Sequence, residues 1–297
     1  MNYGDISQYM HQIYQYNMSF FNNEDNNSYY LLGAFITDGC VYKNGPNTYA
    51  CQISSCDIDW LNKIKNLIGT NLKLHQFKAN YYGIRITRNE IANWFIVHGC
   101  TPQKTYNITL PYIPDIYFKD FVRGCIDGDG SLGEYYSNKN IKHSCQIISA
   151  SKNFLEQLQI KLKSFLIHTT ITNRGKQNSE INGKQIIAKT NSYSLNAYGT
   201  NCFKLLQFAY YDNHSISLER KKIIANKIID HYNNKQIMDL RKIPKLNKGC
   251  KIQWPCDDDL IKMIRATNCS QVAKELGVHN TAVRSRLKRR GLYPISK

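Results

Sequence analysis

No run of apolar residues in this chain approaches the roughly 20 needed to cross a bilayer. Its start, Met-Asn-Tyr-Gly-Asp, lacks the basic and apolar pattern of a secretory signal. No membrane partner is expected, and the chain is read as soluble and intracellular. The ten cysteines never form a C-x-x-C pair, which speaks against a structural zinc site. In a reducing compartment they read as small buried hydrophobes or spectators. Acidic residues are scarce: 22 Asp and Glu stand against 39 Lys and Arg, a formal net charge of +17 over 297 residues. Such an excess suits a polyanion, nucleic acid or an anionic membrane, and with no membrane signal nucleic acid is preferred. The apolar share of 42% is ordinary and sufficient for two or three compact units.

The chain contains an internal repeat. Residues 31–39 read Leu-Leu-Gly-Ala-Phe-Ile-Thr-Asp-Gly, and residues 122–130, which lie 91 positions later, read Val-Arg-Gly-Cys-Ile-Asp-Gly-Asp-Gly. Beyond these motifs, Cys51-Gln52-Ile53, Trp60-Leu61, Ile64 and Ile68 recur as Cys145-Gln146-Ile147, Phe154-Leu155, Leu158 and Leu162, every member shifted by 94. Three extra residues in a loop account for the difference. Periodicity predicts a short motif helix in each repeat, then strands at 40–43 and 48–55, a helix at 57–68, strands at 72–79 and 82–88, and a helix at 90–98. In the second repeat the strands fall at 132–138 and 142–150, the helix at 152–167, strands at 170–177 and 190–198, and a last helix at 201–211. A polar insertion near 176–189 reads as a longer hairpin. Each repeat is thus αββαββα. Its antiparallel strands carry one apolar and one polar face, as where Ile84 and Ile86 alternate with Arg85 and Thr87.

Gly33 and Thr37 are four apart, as are Gly124 and Gly128. Positions i and i+4 share a helix face, and small residues there let two helix backbones approach closely. Packing the motif helices on these four residues brings Asp38 and Asp129 together at their C-terminal tips. Two carboxylates at the negative ends of two helix dipoles repel unless a cation sits between them. Mg2+, or another divalent ion such as Mn2+, suits a few carboxylates plus water and phosphate oxygens, and such a site can clamp a scissile phosphate. An EF-hand is excluded. The run from Asp127 begins like one, but Leu132 stands where its glycine belongs and Asn138 where its glutamate belongs.

These residues resemble the LAGLIDADG homing endonucleases, specifically the single-chain, two-repeat kind, over about residues 28–235. The likeness includes both motifs, the element order, Gly99, Lys104-Thr105 and Leu110-Pro111 before the second motif, and Leu218-Glu219-Arg220-Lys221 after the second repeat. The resemblance implies an α+β fold in which two pseudo-symmetric repeats form a saddle on double-stranded DNA with a long specific site. It also implies a divalent-metal-dependent staggered double-strand cut. The family's essential acids map to Asp38 and Asp129. The motif's other acid maps to Asp127 in the second copy and to Ile36 in the first, so it is not a symmetric requirement. Family members place polar or basic side chains beside the metals. Gln52 and Gln146 fit by their recurrence, and Arg85, Arg88 and Lys104 are basic candidates for the site or for phosphate. No counterpart of Arg85 is evident in the second repeat.

Residues 235–297 hold 15 Lys or Arg against 5 Asp or Glu. A basic linker over 241–251 is followed by three short helices within 258–290. Asp257–Asp259 are expected to cap the first helix and Ser270 the second, with a turn at Gly277-Val278. Ala273, Gly277, Val283 and Leu287 have helix-turn-helix spacing. The third helix presents Asn280, Thr281, Arg284, Arg286 and Lys288 to DNA. The expected divisions are an N-terminal extension 1–27, repeats at 28–118 and 119–235, a linker 236–252 and an all-α helix-turn-helix domain 253–297. One chain supplies both motifs, so a monomer is expected. A non-cutting transcription regulator of this fold and an RNA maturase acting on an intron are the alternatives. Both acids are present, which favours cutting, and a helix-turn-helix favours duplex DNA. Intein splicing needs a nucleophile first and Asn last; the chain begins Met-Asn and ends Ile-Ser-Lys, so it is read as free-standing. The many Asn, Lys, Ile and Tyr residues suggest an AT-rich genome. A phage or bacterial cytoplasm or an organelle matrix is the expected setting, with a mobile intron as the expected source.

Overall fold

Asp25 decides where the first long helix begins. Its carboxylate accepts hydrogen bonds from Asn27 N (2.9 Å) and Ser28 N (2.8 Å), and Ser28 Oγ accepts from Asp25 N in return (2.9 Å). This reciprocal cap satisfies orphan N–H groups and starts α2 at Asn26–Thr37, two residues before the expected boundary. A short helix α1, Met18–Asn22, precedes it. The computed structural model describes residues 14–137, 140–176, 178–181, 184–187, 190–241 and 254–292.

The first repeat continues with β1 (Gly39–Gly45), β2 (Thr48–Ser55), α3 (Ile58–Leu67), β3 (His75–Lys78), β4 (Tyr81–Ile86) and α4 (Asn89–Val97). The second has α5 (Asp115–Asp127), β5 (Gly130–Ser137), β6 (Asn140–Ser149), α6 (Lys152–Ser164), β7 (Thr170–Gly175), β10 (Ser192–Tyr198) and α7 (Thr200–Ala209). The polar insertion forms a separate hairpin, β8 (Asn178–Ile181) with β9 (Lys184–Ile187). The two four-stranded sheets have orders β1-β2-β4-β3 and β5-β6-β10-β7. These are the same order once equivalent strands are matched. Register matches too: Cys40, Gln52 and Arg85 pair across the first sheet as Ser131, Gln146 and Asn196 pair across the second.

One face of each sheet is apolar and covered. Ile53, Ile84 and Ile86 in the first sheet, and Cys145, Ile147, Leu195 and Ala197 in the second, are at most 1% exposed. They pack with Trp60, Leu61, Phe95, Phe154, Leu155 and Leu158 from the helices in one continuous core. Burying each such side chain stabilises by about 1.5–3 kcal/mol.

The chain divides into two compact units, residues 1–232 and 233–297. Helix α8, Glu219–Arg241, runs across that division. It occupies residues 236–241 of the expected linker, and the rest of that linker, 242–252, lies outside the described residues. In the C-terminal unit α9 (Asp257–Ala266), α10 (Cys269–Glu275) and α11 (Asn280–Arg289) surround a core of Leu260, Ile264, Val272, Ala273, Val283 and Leu287. The turn after α10 needs Gly277 (φ +64°). Val278 N bonds Ala273 O at 2.8 Å and Gly277 N bonds Lys274 O at 3.3 Å, a Schellman closure that ends one helix and aims the next. Two expected caps are corrected. Cys256 Sγ caps α9, with Asp257–Asp259 inside its first turn. Asn268 caps α10 by accepting from Ser270 N and Gln271 N. An Asn carbonyl one residue outside the helix reaches both N–H groups, whereas Ser270 already lies within it. No helix among the described residues is long and apolar enough to cross a membrane.

Candidate active site

Helices α2 and α5 meet without side chains between their backbones. A Cβ on Gly33 would lie 2.2 Å from Phe121 O, and one on Gly124 would lie 2.1 Å from Tyr30 O. One turn on, a Cβ on Gly128 would lie 2.1 Å from Thr37 Oγ1. The Thr37 hydroxyl donates back to Gly33 O at 3.0 Å and Ala34 O at 3.1 Å. All four expected interface residues thus sit on the seam, and the seam sets the separation of the helix tips. Asp38 is the C-cap of α2, and Asp129 follows Gly128, the C-cap of α5.

At these tips the two carboxyls lie close enough for each to affect the other's ionisation. Both are open to solvent on the outer side. Loss of hydration within the protein is still the largest influence on each. It pushes Asp38 up to about 7, with Asp129's charge adding to the rise and Lys221 and Lys104 opposing it. Asp129 is raised as well, again by burial first and against the same two lysines. Two acids that cannot both ionise freely in contact share a proton into the neutral range. No cluster of three or more His, Cys, Asp or Glu able to hold a metal occurs among the described residues, so the chain offers two hard carboxylate donors and an open side. These fit a magnesium-like ion that keeps water or phosphate as its remaining ligands.

Two lysines stand behind the acids in matching roles. Lys104, in a 3-10 turn at Lys104–Tyr106, donates to Ile36 O in the last turn of α2 at 2.6 Å. Lys221, in the first turn of α8, donates to Ile126 O (2.8 Å), Asp127 O (2.8 Å) and Gly128 O (2.7 Å) at the end of α5. Each ammonium satisfies orphan carbonyls at a helix C-terminus, where a cation is favoured by about 0.3–1 kcal/mol or more. Lys221 is 5% exposed, and burial lowers its pKa. Lys104 also lines a pocket of about 80 Å3 with Thr37, Asp129 and Ser149, room for a few waters. The sequence singled out Lys104 but not the role of Lys221. The usable signal was a lysine following the last helix of each repeat, hidden by unequal loop lengths.

The buried acid Asp127 is placed differently from its motif partner. Oδ2 accepts from Tyr30 OH (2.7 Å) and Leu218 N (2.8 Å), and Oδ1 from Tyr210 OH (2.6 Å). Trp60 Nε1 extends the chain by donating to Tyr30 OH at 2.7 Å. Asp127 therefore ties the repeats together from inside and does not face solvent. Arg123, fully buried, bonds Asp120, Ala209 O and Ile216 O.

Gln52 and Gln146 occupy equivalent central positions of the two polar sheet faces, each half-buried. Gln52 donates to Ser54 Oγ at 3.1 Å. Among the described residues neither glutamine hydrogen-bonds the acid pair. Arg85 is exposed beside Gln52, lying over the Tyr42 ring and reaching Asn44 Oδ1 at 3.3 Å. Gln52, Tyr42 and Arg85 border an open cleft of about 740 Å3 that Lys73, His75 and Phe77 also line. The second repeat does hold a counterpart of Arg85, Asn196. It is 2% exposed and bound to Ser194, Thr170 and Thr172. Arg88, expected at the end of a strand, is instead the N-cap of α4 and pairs with Glu90 at 3.0 Å, because β4 stops at Ile86. In the C-terminal unit Asn280 and Thr281 open α11 under a His279 cap, and Arg284 and Lys288 are exposed. Arg286 is engaged inside the unit, 3.3 Å from Asp257 and 4.9 Å over the Trp254 ring, so it packs α11 on α9 instead of facing outward.

The family model described as a LAGLIDADG-like domain matches residues 119–200, within the second repeat. The first repeat carries the same elements in the same sheet order, as the sequence resemblance implied. Among solved structures, the meganuclease I-SmaMI bound to uncleaveable DNA with a TTGT central four is similar in fold. Its TM-score is 0.50 at 12% identity, with coverage of 72% of this chain and 92% of that one. An I-DmoI variant in complex with its target DNA in the presence of 2 mM Mg has TM-score 0.43 at 15% identity, covering 67% of this chain and 100% of that one. The probable translation initiation factor IF-2 of Methanocaldococcus jannaschii is 29% identical over 217 residues; these cover 70% of this chain and only 16% of that protein's length.

Proposed function

We propose that this chain is a site-specific DNA endonuclease that hydrolyses one phosphodiester on each strand of a long target and leaves a staggered cut. The observation that carries this reading is the contact between Asp38 and Asp129, held at the tips of two helices packed glycine to backbone, with Lys104 and Lys221 behind them. A carboxylate pair kept partly protonated by burial, in spite of the two lysines, is what a divalent cation would relieve. Asp38 and Asp129 would hold that ion, Mg2+ or Mn2+, which supplies positive charge against the scissile phosphate and an activated water.

The chain's own residues account for the rest. Lys221 has all three N–H donors engaged on carbonyls, so it acts on a phosphate through its field. Lys104, with one described bond, retains donors for water or phosphate oxygen. Positive charge fixed beforehand where negative charge develops is the main means of stabilising this kind of transition state. Net charge of +17 favours duplex DNA, and the polar sheet faces with Arg85 and Gln52 suit the major groove. The C-terminal unit adds a second DNA contact through Asn280, Thr281 and Arg284. Both acids come from one chain, which supports action as a monomer.

The test is a plasmid-cleavage assay on the uninterrupted form of the gene region that harbours this reading frame, with and without Mg2+. Linear product with wild type and Mg2+, lost on chelation and in Asp129→Asn, is the expected outcome. Equal nicking by wild type and variant would defeat the proposal.

A further inference from the structure

The two motifs differ at one chemically important place: Ile36 in the first stands where Asp127 stands in the second. The lysines behind them differ in a matching way. Lys104 is half-exposed, so water solvates its charge. Lys221 is 5% exposed and makes its bonds to carbonyls, which are dipoles and carry no neutralising charge. A buried ammonium without a counter-ion is costly. Of the three carboxylates that act on Lys221, Asp38 and Asp129 are open to solvent and Asp127, 1% exposed, is the one the fold buries. It also fixes where that lysine stands. Asp127 Oδ2 accepts from Leu218 N at 2.8 Å, and Leu218 O accepts from Lys221 N and Lys222 N at 3.0 Å each, which closes the first turn of α8. Tyr30 and Tyr210 hold the carboxylate from the other side.

We infer that Asp127 is a positioning residue, the buried counter-charge and anchor of Lys221, and that it makes the two halves of the active site unequal. Only the half served by Lys221 depends on it. The half served by Lys104 has Ile36 at the same place and a solvated lysine, and needs no such group. This rests on the nuclease reading for its catalytic consequence, though not for its structural one.

Single-turnover cleavage of a doubly end-labelled target measures the two strands separately. Asp127→Asn keeps the shape and removes the charge. It should slow one strand at least tenfold, leave the other within threefold, and leave the Kd for DNA within threefold, so that nicked product accumulates. Added to Lys221→Met, it should have no further effect on that strand, because both act through one ammonium. Tyr210→Phe loosens the same network but leaves the charge, and should preserve the strand ratio. Equal slowing of both strands, independent effects of the Asp127 and Lys221 changes, or a strand bias in Tyr210→Phe as large as that in Asp127→Asn would overturn the inference. A readout free of cleavage is amide exchange in Asp127→Ala. Protection at Leu218, Lys221 and Lys222 should fall at least tenfold relative to the amides of α6, and unchanged or uniformly lowered protection would overturn it. If wild type cuts no DNA, the nuclease proposal fails, and the exchange result still decides the role of Asp127.

Discussion

The carboxyl of Asp38 lies beside that of Asp129 and feels its charge, although 91 residues separate them in the chain. Each sits where a helix's own carbonyls already present negative charge, so the pair opposes stability until a cation arrives. Asp38→Asn or Asp129→Asn should reduce cleavage by about a hundredfold or more and leave DNA affinity nearly unchanged, since neither acid attracts phosphate. The sign of the pH effect follows from the raised carboxyls. The folded protein binds the shared proton more tightly than the unfolded chain, so this contribution to stability is full below the ordinary carboxylate value of 3.8 and is lost as pH rises to about 7. A cation competes with that proton. The rise in Tm on adding Mg2+ should therefore be larger at about pH 8 than at about pH 5, and absent in Asp38→Asn. A Tm shift equal at both pH values would contradict the shared proton.

The approach of α2 and α5 tolerates no added methyl group. Gly124→Ala would put Cβ 2.1 Å from Tyr30 O, and Gly33→Ala 2.2 Å from Phe121 O. Both contacts are with backbone, which cannot swing aside. Each variant should lose about 1–3 kcal/mol or more, read as a lower midpoint of urea unfolding. It should also lose cutting beyond what that instability explains, because the helix tips move apart. Gly133→Ala is the control: its Cβ would meet nothing nearer than Ser144 Oγ at 3.5 Å, and its stability should change by under about 1 kcal/mol.

That seam was legible in the sequence because small residues four apart on both motif helices admit one good packing, and the carboxylates follow from it. The strands were legible for a similar reason, since alternation as regular as Ile84, Arg85 and Ile86 has one reading. Lys221 was not, because a lysine in the first turn of a mostly polar helix looks like any solvated lysine until α5 is placed over it. Asn196 was missed because its kinship with Arg85 is one of strand register, and the two side chains share no chemistry. Helical position alone points Arg286 outward, yet Asp257 and Trp254 draw it in. Side chains that long choose partners that local pattern does not specify.

His143 gives a separate pH effect. Its ring is buried between β6 and α8, with His231 at 4.9 Å between ring centroids and Glu134 at 3.4 Å. Its Nδ1 has no partner. Burial lowers its pKa from 6.5, His231 adds to the drop, and Glu134 opposes it. A histidine held neutral supports the fold above its unfolded value and withdraws that support as pH falls below about 6.5. His143→Gln should flatten the stability profile between about pH 5 and pH 7, seen in urea midpoints. A slope unchanged from wild type would place the titrating group elsewhere.

Arg284 and Arg286 stand two residues apart on α11 and should behave in opposite ways. Arg284 is exposed. If it meets a phosphate, Arg284→Ala should weaken DNA binding, reduce the slope of log K against log salt by about 0.9, and leave Tm unchanged. Arg286 is held by Asp257 and stacked on Trp254, and Arg290 shares the same aspartate at 3.7 Å. Arg286→Ala should destabilise the C-terminal unit by roughly 1 kcal/mol, the sum of a half-exposed ion pair and a cation–π contact. Its effect on the salt slope should be nil at temperatures where that unit stays folded. The order of the two effects is the test: an Arg284 variant that lowers Tm with the salt slope intact would mean that α11 presents a different face to DNA.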